Sequence, residues 1–245
     1  MPLPASNRRP ISKSGRALPR VPGVRHEQVW WDQGAVVAGI DEVGRGAWAG
    51  PVTYAAVILP TDRRMYKLRD SKTLDQPRRE ELAERVREFA LATSVGHASN
   101  DEIDAMGMST AMRLAAQRAM DGLSVRPDVI LLDGNWDFLA GYGTTNQCIV
   151  HGDAHSASIA AASIVAKVSR DNLLIQACDT YPVYGFSRNK GYPSPEHQQG
   201  LAEHGPCVLH RHSWAPIAEL AQQTLDFGTE HIASRVRPDS PATRN

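Results

Sequence analysis

The chain has 245 residues, 42% hydrophobic and 22% charged, proportions ordinary for a soluble globular protein long enough to bury a sizeable core. Its 19 glycines and 16 prolines are too few for a low-complexity chain, apolar runs such as Ala55–Leu59 and Ile159–Ala162 are too short to cross a bilayer, and the first 25 residues lack a secretory apolar segment. The net charge of +0 conceals an asymmetry: six of the 27 basic residues lie in residues 1–25, which hold no acid, leaving 21 basic against 27 acidic residues elsewhere.

That basic, proline-dotted arm reads either as a nonspecific phosphate contact or as a solvated leader. The acidic remainder argues against a simple charge-driven nucleic-acid binder. Three cysteines without CxxC spacing (Cys148, Cys178, Cys207) predict reduced thiols and a cytoplasmic protein. One α/β domain is expected over residues 29–227, between a flexible arm, 1–28, and a flexible tail, 228–245.

In chain order, Ala35–Ile40 and the β-branched run Val52–Leu59 predict two strands. Leu82, Val86 and Phe89 recur at helical spacing within a predicted helix Gln76–Thr93. A strand over Ser94–Ala98 follows, then one helix over Asp101–Leu123 with Met112, Ala115, Ala116 and Ala119 on one side. Val129–Leu132 predicts an apolar strand and Gln147–Val150 a short one. Ser156–Cys178 is the longest predicted helix; Ser156 and Ser158 stand where caps belong, and the small residues Ala160 to Ser163 permit close approach to a sheet. A short helix over Pro195–His204 and a last one over Ala215–Leu225 complete the pattern. No internal repeat is evident.

Four acids share one context. Asp41 and Glu42 end the first strand, Asp133 ends the strand Val129–Leu132, and Asp153 precedes the long helix. Ligands of α/β sheets collect at carboxyl ends of strands, so these four carboxylates are expected in one cleft. Two carboxylates ~4 Å apart repel by about 4 kcal/mol at an effective dielectric near 20. All-oxygen ligands favour hard divalent cations, and two such ions can activate water and stabilise the leaving oxygen of a phosphodiester. The alternative is that each acid caps a helix or starts a turn.

The segment Gly44-Arg45-Gly46, with Gly50-Pro51 after it, is a glycine-rich turn whose amides could approach a sugar–phosphate chain. It is not a dinucleotide fingerprint, because the spacing is GxGxxxG. It is not a P-loop either, because Arg45-Gly46 replaces the Lys and hydroxyl. Candidate phosphate ligands downstream are Ser71 and Lys72, Lys167 and Arg170, Lys190, and His210 to Ser213; the alternative for each cation is a solvated surface charge.

Gly39 to Gly46, followed by Ala49-Gly50-Pro51-Val52, resembles the opening signature of the ribonuclease HII family. Asp70-Ser71-Lys72, Asp133-Gly134-Asn135, Gly152-Asp153, Ser158 to Ile164, Ala166-Lys167-Val168, Arg170-Asp171, Lys190 to Pro193, His197, Gly205-Pro206, His210-Arg211 and Ser213-Trp214 continue it in the expected order over about 35 to 217. The resemblance implies a ribonuclease H-like mixed sheet flanked by helices, with a small C-terminal helical extension. It implies an endonuclease that cuts the RNA strand of RNA–DNA hybrids and incises DNA 5′ of embedded ribonucleotides, leaving a 3′-hydroxyl and a 5′-phosphate. Asp41, Glu42, Asp133 and Asp153 become the catalytic acids that bind two Mg²⁺ or Mn²⁺ ions. Gly44, Arg45 and Gly46 become the reader of the ribose 2′-hydroxyl, Ser71, Lys72 and Lys167 phosphate ligands, and Tyr192 a platform stacked past the junction. The expected partners are RNA–DNA hybrid and ribonucleotide-containing DNA, with no membrane, and the chain is expected to act as a monomer. His151 departs from the family, where a lysine is common, so a phosphate contact there would be weaker at neutral pH or dependent on pH.

Other readings stay open. His151, Asp153 and His155, or Cys207, His210 and His212, could bind zinc. Ser187 to Lys190 matches SxxK by spacing alone. A binding module that has lost catalysis would lack an acid, whereas all four are present. Ribonuclease HIII or a junction resolvase is the nearest alternative enzyme.

Overall fold

The computed structural model describes residues 21–65, 68 and 75–220. In chain order it holds α1 (Arg25–Trp31), β1 (Val37–Val43), β2 (Val52–Ile58), α2 (Gln76–Phe89), β3 (Ala92–Ala98), α3 (Asn100–Met106), α4 (Met108–Asp121), β4 (Val129–Asp133), β5 (Thr145–Ile149), α5 (Ala157–Thr180), α6 (Phe186–Asn189) and α7 (Pro195–His204). A further helical stretch covers 215–220. The sheet order is β3-β2-β1-β4-β5, with β1 antiparallel to β2 and parallel to β4, and β4 parallel to β5. This is the expected mixed sheet with helices beside it. No described helix is long and apolar enough to cross a membrane.

The chain forms two compact units. Of the described residues, the first takes those up to Val43, those within 53–97 and those of 112–169; the second takes 44–52, 98–111 and those from Arg170 on. The first unit holds most of the sheet. β2 is buried at every position, which is why it reads as a continuous apolar run rather than an alternating one. Ala161, Ala162, Ile164 and Val165 of α5 pack with Leu82 and Val86 of α2 and with Val57. Small residues on both sides allow the closest approach: a Cβ on Gly39 of β1 would overlap the Ser158 carbonyl carbon and the Ile159 amide.

Helix ends follow their caps. Ser156 caps α5, its Oγ accepting from the Ile159 amide at 3.2 Å, and the buried Glu27 carboxylate of α1 accepts from the Ser158 amide at 2.8 Å. The helix predicted over Asp101–Leu123 is two helices. Ser99 and Glu102 form a capping box that starts α3, and Gly107, at φ 79°, ends it before α4 begins. The expected arm boundary at residue 28 falls inside α1, a helix hidden by the basic, proline-rich composition around it.

The second unit has its own apolar cluster, built on Ala49, Leu174, Tyr184, Phe186, Leu201 and Ile217. α7 begins at Ser194, whose side chain accepts from the His197 amide at 3.1 Å, and ends at Gly205, φ 69°.

Candidate active site

In the first unit, strand register decides where the acids fall. Parallel pairing of β1 with β4 runs through Ile40↔Leu132, so Asp41 and Asp133 are the next residues on neighbouring strands. Residues paired in register share a face of the sheet, here the face that packs on α5. The prediction had β1 stopping at Ile40. It continues through Val43 because Asp41 and Glu42 keep antiparallel partners, Ala55 and Tyr54, on β2.

Each aspartate has one oxygen oriented by an amide. Asp41 Oδ1 accepts from the Glu42 N–H at 2.7 Å, and Asp133 Oδ1 accepts from the Gly152 N–H at 2.6 Å. Ser163 of α5 adds a side-chain hydrogen bond to Asp41. Burial, then the charges of Glu42 and Asp133, hold the Asp41 carboxyl well above the usual carboxylate range. Glu42 and Asp133 are therefore each close enough to repel Asp41. Strand alternation starts Glu42 toward the opposite face from Asp41. Asp153 lies in the short 3₁₀ turn Gly152–Ala154, immediately after the amide that orients Asp133.

Among the described residues no three His, Cys, Asp or Glu side chains form a ready metal cage. Neither zinc alternative has a ready site among the described residues. His210 in particular is buried and turned to other partners. It also means that the four acids do not stand as a finished cage. Their chemistry nevertheless fits a hard cation: oxygen donors on adjacent strands, oriented by N–H groups, with a repulsion that a divalent ion would relieve. Lys167 is half-buried and lies one helical turn beyond Ser163 on α5.

In the second unit, the turn Gly44-Arg45-Gly46 is held from behind by two buried arginines. Arg211 donates from Nη2 to the Gly44 carbonyl at 2.6 Å, from Nη1 to Arg45 at 3.0 Å and from Nε to Gly50 at 3.0 Å. Arg170 donates to the carbonyls of Pro51 (2.9 Å), Ala49 (2.9 Å) and Lys190 (2.8 Å). Burial lowers the pKa of both, and with the Arg170 charge nearby it brings Arg211 down to about 9. Arg170 occupies the space a Cβ on Gly44 would need, and Gly44 sits at φ 89°. Arg45 and Gly46 are exposed, and among the described residues no protein group accepts from their amides.

Tyr192 belongs to the same arrangement. Its hydroxyl accepts from the Gly44 N–H at 3.1 Å, and the Arg170 guanidinium lies 5.3 Å from its ring centroid. The candidate phosphate ligands Arg170 and Arg211 are thus scaffold, not surface cations. Lys190 is buried too, with Nζ bonded to the Ser187 carbonyl, and this lysine is the one in the SxxK spacing. Ser71 and Lys72 lie outside the described residues.

The sequence model of the family described as ribonuclease HII matches residues 38–217. The chain belongs to the ribonuclease HII family. It is a ribonuclease H enzyme, and the alternative of a binding module that has lost catalysis is set aside. A ribonuclease HII of Streptomyces avermitilis is 48% identical over 187 residues, covering 76% of this chain and 80% of the relative. Among solved structures, the ribonuclease H2 from Pyrococcus horikoshii OT3 is similar with TM-score 0.67 and 26% identity, over 76% of this chain and 97% of that one. The ribonuclease HII of Archaeoglobus fulgidus, solved as a complex with PCNA, is similar with TM-score 0.63 and 27% identity, over 73% and 95%. The family match decides against ribonuclease HIII and junction resolvases, and the ribonuclease HII signature residues Asp41, Glu42, Gly44 to Gly46, Asp133 and Asp153 all fall within the matched span.

Proposed function

We propose that this enzyme hydrolyses the RNA strand of RNA–DNA hybrids and incises DNA 5′ of embedded ribonucleotides, leaving a 3′-hydroxyl and a 5′-phosphate. The observation that carries the reading is that Asp41 and Asp133 directly follow the paired Ile40 and Leu132 on β1 and β4, with Asp41 buried against like charge. Asp41, Glu42, Asp133 and Asp153 would hold two Mg²⁺ or Mn²⁺ ions. When bound, such ions supply the Lewis acidity that makes water nucleophilic near neutral pH and stabilises the departing oxygen. The protein's part is orientation: the Glu42 and Gly152 amides and Ser163 fix the aspartates before any ligand arrives.

Lys167, and Ser71 and Lys72, would position backbone phosphates without specifying sequence. The amides of Arg45 and Gly46, which have no acceptor among the described residues, are suited to the ribose 2′-hydroxyl, the one group that marks a ribonucleotide within DNA. Tyr192 would stack on the sugar or base beside it. The test is a duplex containing a single ribonucleotide, incubated with and without Mg²⁺ or Mn²⁺. A nick mapping 5′ of the ribonucleotide only with the cation is expected; equal cutting of an all-DNA duplex would overturn the proposal.

A further inference from the structure

Two buried histidines stand behind Tyr192 in the second unit and have no part in the scheme above. His197 Nδ1 lies 3.0 Å from the Tyr192 carbonyl oxygen, and its Nε2 lies 3.0 Å from Nε2 of His210. His210 Nδ1 receives the Cys207 amide at 2.9 Å. Both rings are fully buried.

These partners fix the protons. A carbonyl only accepts, so His197 carries its hydrogen on Nδ1 and presents a bare Nε2. An amide only donates, so His210 Nδ1 is bare and its hydrogen is on Nε2, aimed at His197. The Cys207 carbonyl, 3.2 Å from the same Nδ1, is the longer contact. Turning His210 to donate there would set two bare Nε2 atoms against each other. We infer that His197 and His210 form a neutral, proton-ordered pair that positions Tyr192 for single-ribonucleotide recognition. The inference rests on the reading of Tyr192 given above.

The surroundings keep the pair neutral. Tyr184 and Phe186 pack on both rings, and Trp48 packs on His197. Burial lowers the pKa of both imidazoles. Proximity to His197, and less so to His212, then brings His210 to about 4. The other titratable neighbours, Tyr184 and Cys207, have their own pKa values raised by burial. Protonating His197 would set Nε2–H against Nε2–H and push the rings apart, pulling on the Tyr192 backbone.

Two measurements on the full chain test this. Long-range ¹H–¹⁵N NMR reports imidazole tautomers directly. It is expected to show His197 as the Nδ1–H form and His210 as the Nε2–H form, both unchanged from pH 8 to 6. Either ring in the opposite tautomer, or titrating near 6.5, overturns the inference. Kinetically, His197→Leu is expected to lower kcat/KM at a single ribonucleotide relative to a long hybrid by about fivefold to tenfold. His197→Asn, whose amide can still donate to the Tyr192 carbonyl, is expected to recover most of that ratio. Adding His197→Leu to Tyr192→Ala is expected to change the ratio no further. If Tyr192→Ala alone leaves the ratio intact, the reading of Tyr192 falls and takes the inference with it. If Tyr192→Ala lowers the ratio but His197→Leu does not, the inference alone falls. Should His197→Leu not fold, the tautomer measurement decides.

Discussion

Each unit of this enzyme sets a buried charged group beside a like one. The first unit sets Asp41 beside Asp133, and the second places Arg170 near enough to Arg211 to lower its pKa. The pairs are treated differently. The arginines spend their N–H groups on six backbone carbonyls, and dipoles absorb the charge. Each aspartate receives one backbone N–H, with Ser163 added at Asp41, and the mutual repulsion remains. Buried charge in a protein therefore has two meanings, told apart by its partners. Charge satisfied by the chain builds structure, whereas charge left in excess is suited to a ligand of opposite sign.

Breaking the acidic pair should affect activity most. Asp133→Asn keeps size and an oxygen acceptor but removes a charge, and we expect hybrid cleavage to fall by at least about a hundredfold. Rate assays with Mg²⁺ or Mn²⁺, beside circular dichroism showing an intact fold, check this. Breaking the basic pair should act on stability. Arg211→Leu strands the carbonyls of Gly44, Arg45 and Gly50, and a loss of about 3 kcal/mol is expected in denaturant titration. An unchanged midpoint would show that these bonds do not hold the turn.

The smallest effect has the opposite sign. Asp41 has a raised pKa in the folded state, so below the unfolded carboxyl value, about 4, its contribution is intact. As pH rises, the unfolded chain ionises first, and stability is lost until Asp41 itself ionises. In chelator, Asp41→Asn should melt higher than the wild type at neutral pH and show a flatter dependence on pH through the acid range. A lower melting temperature would mean that the carboxylate is structurally required.

Much of this was legible in the sequence where local chemistry decides. Ser194-Pro195 and Gly205 delimit α7 with the expected ends, and Ser156 caps α5 as its position implied. The strands bearing Asp41 and Asp133 follow from apolar runs that end in acids, whereas their pairing as neighbours comes from the sheet order. What escaped depended on backbone angles and on where side chains turn, which local pattern does not fix. Gly107 reads as tolerable inside a helix until its backbone turns to positive φ. Arg170 and Arg211 read as phosphate ligands because no local pattern tells an inward guanidinium from an outward one; their carbonyl partners lie more than a hundred residues away, apart from Lys190. The tautomers inferred for His197 and His210 rest on how each ring is turned toward a carbonyl and an amide, which no spacing rule fixes.

Direct cation binding by the full-length protein decides the central claim. Mn²⁺ titrated into the wild type should lose its free-ion paramagnetic resonance signal as it binds. Asp133→Asn, folded to the same extent, should leave that signal at its protein-free intensity. Equal uptake by the two proteins would show that the carboxylates at the ends of β1 and β4 are not where the metal binds.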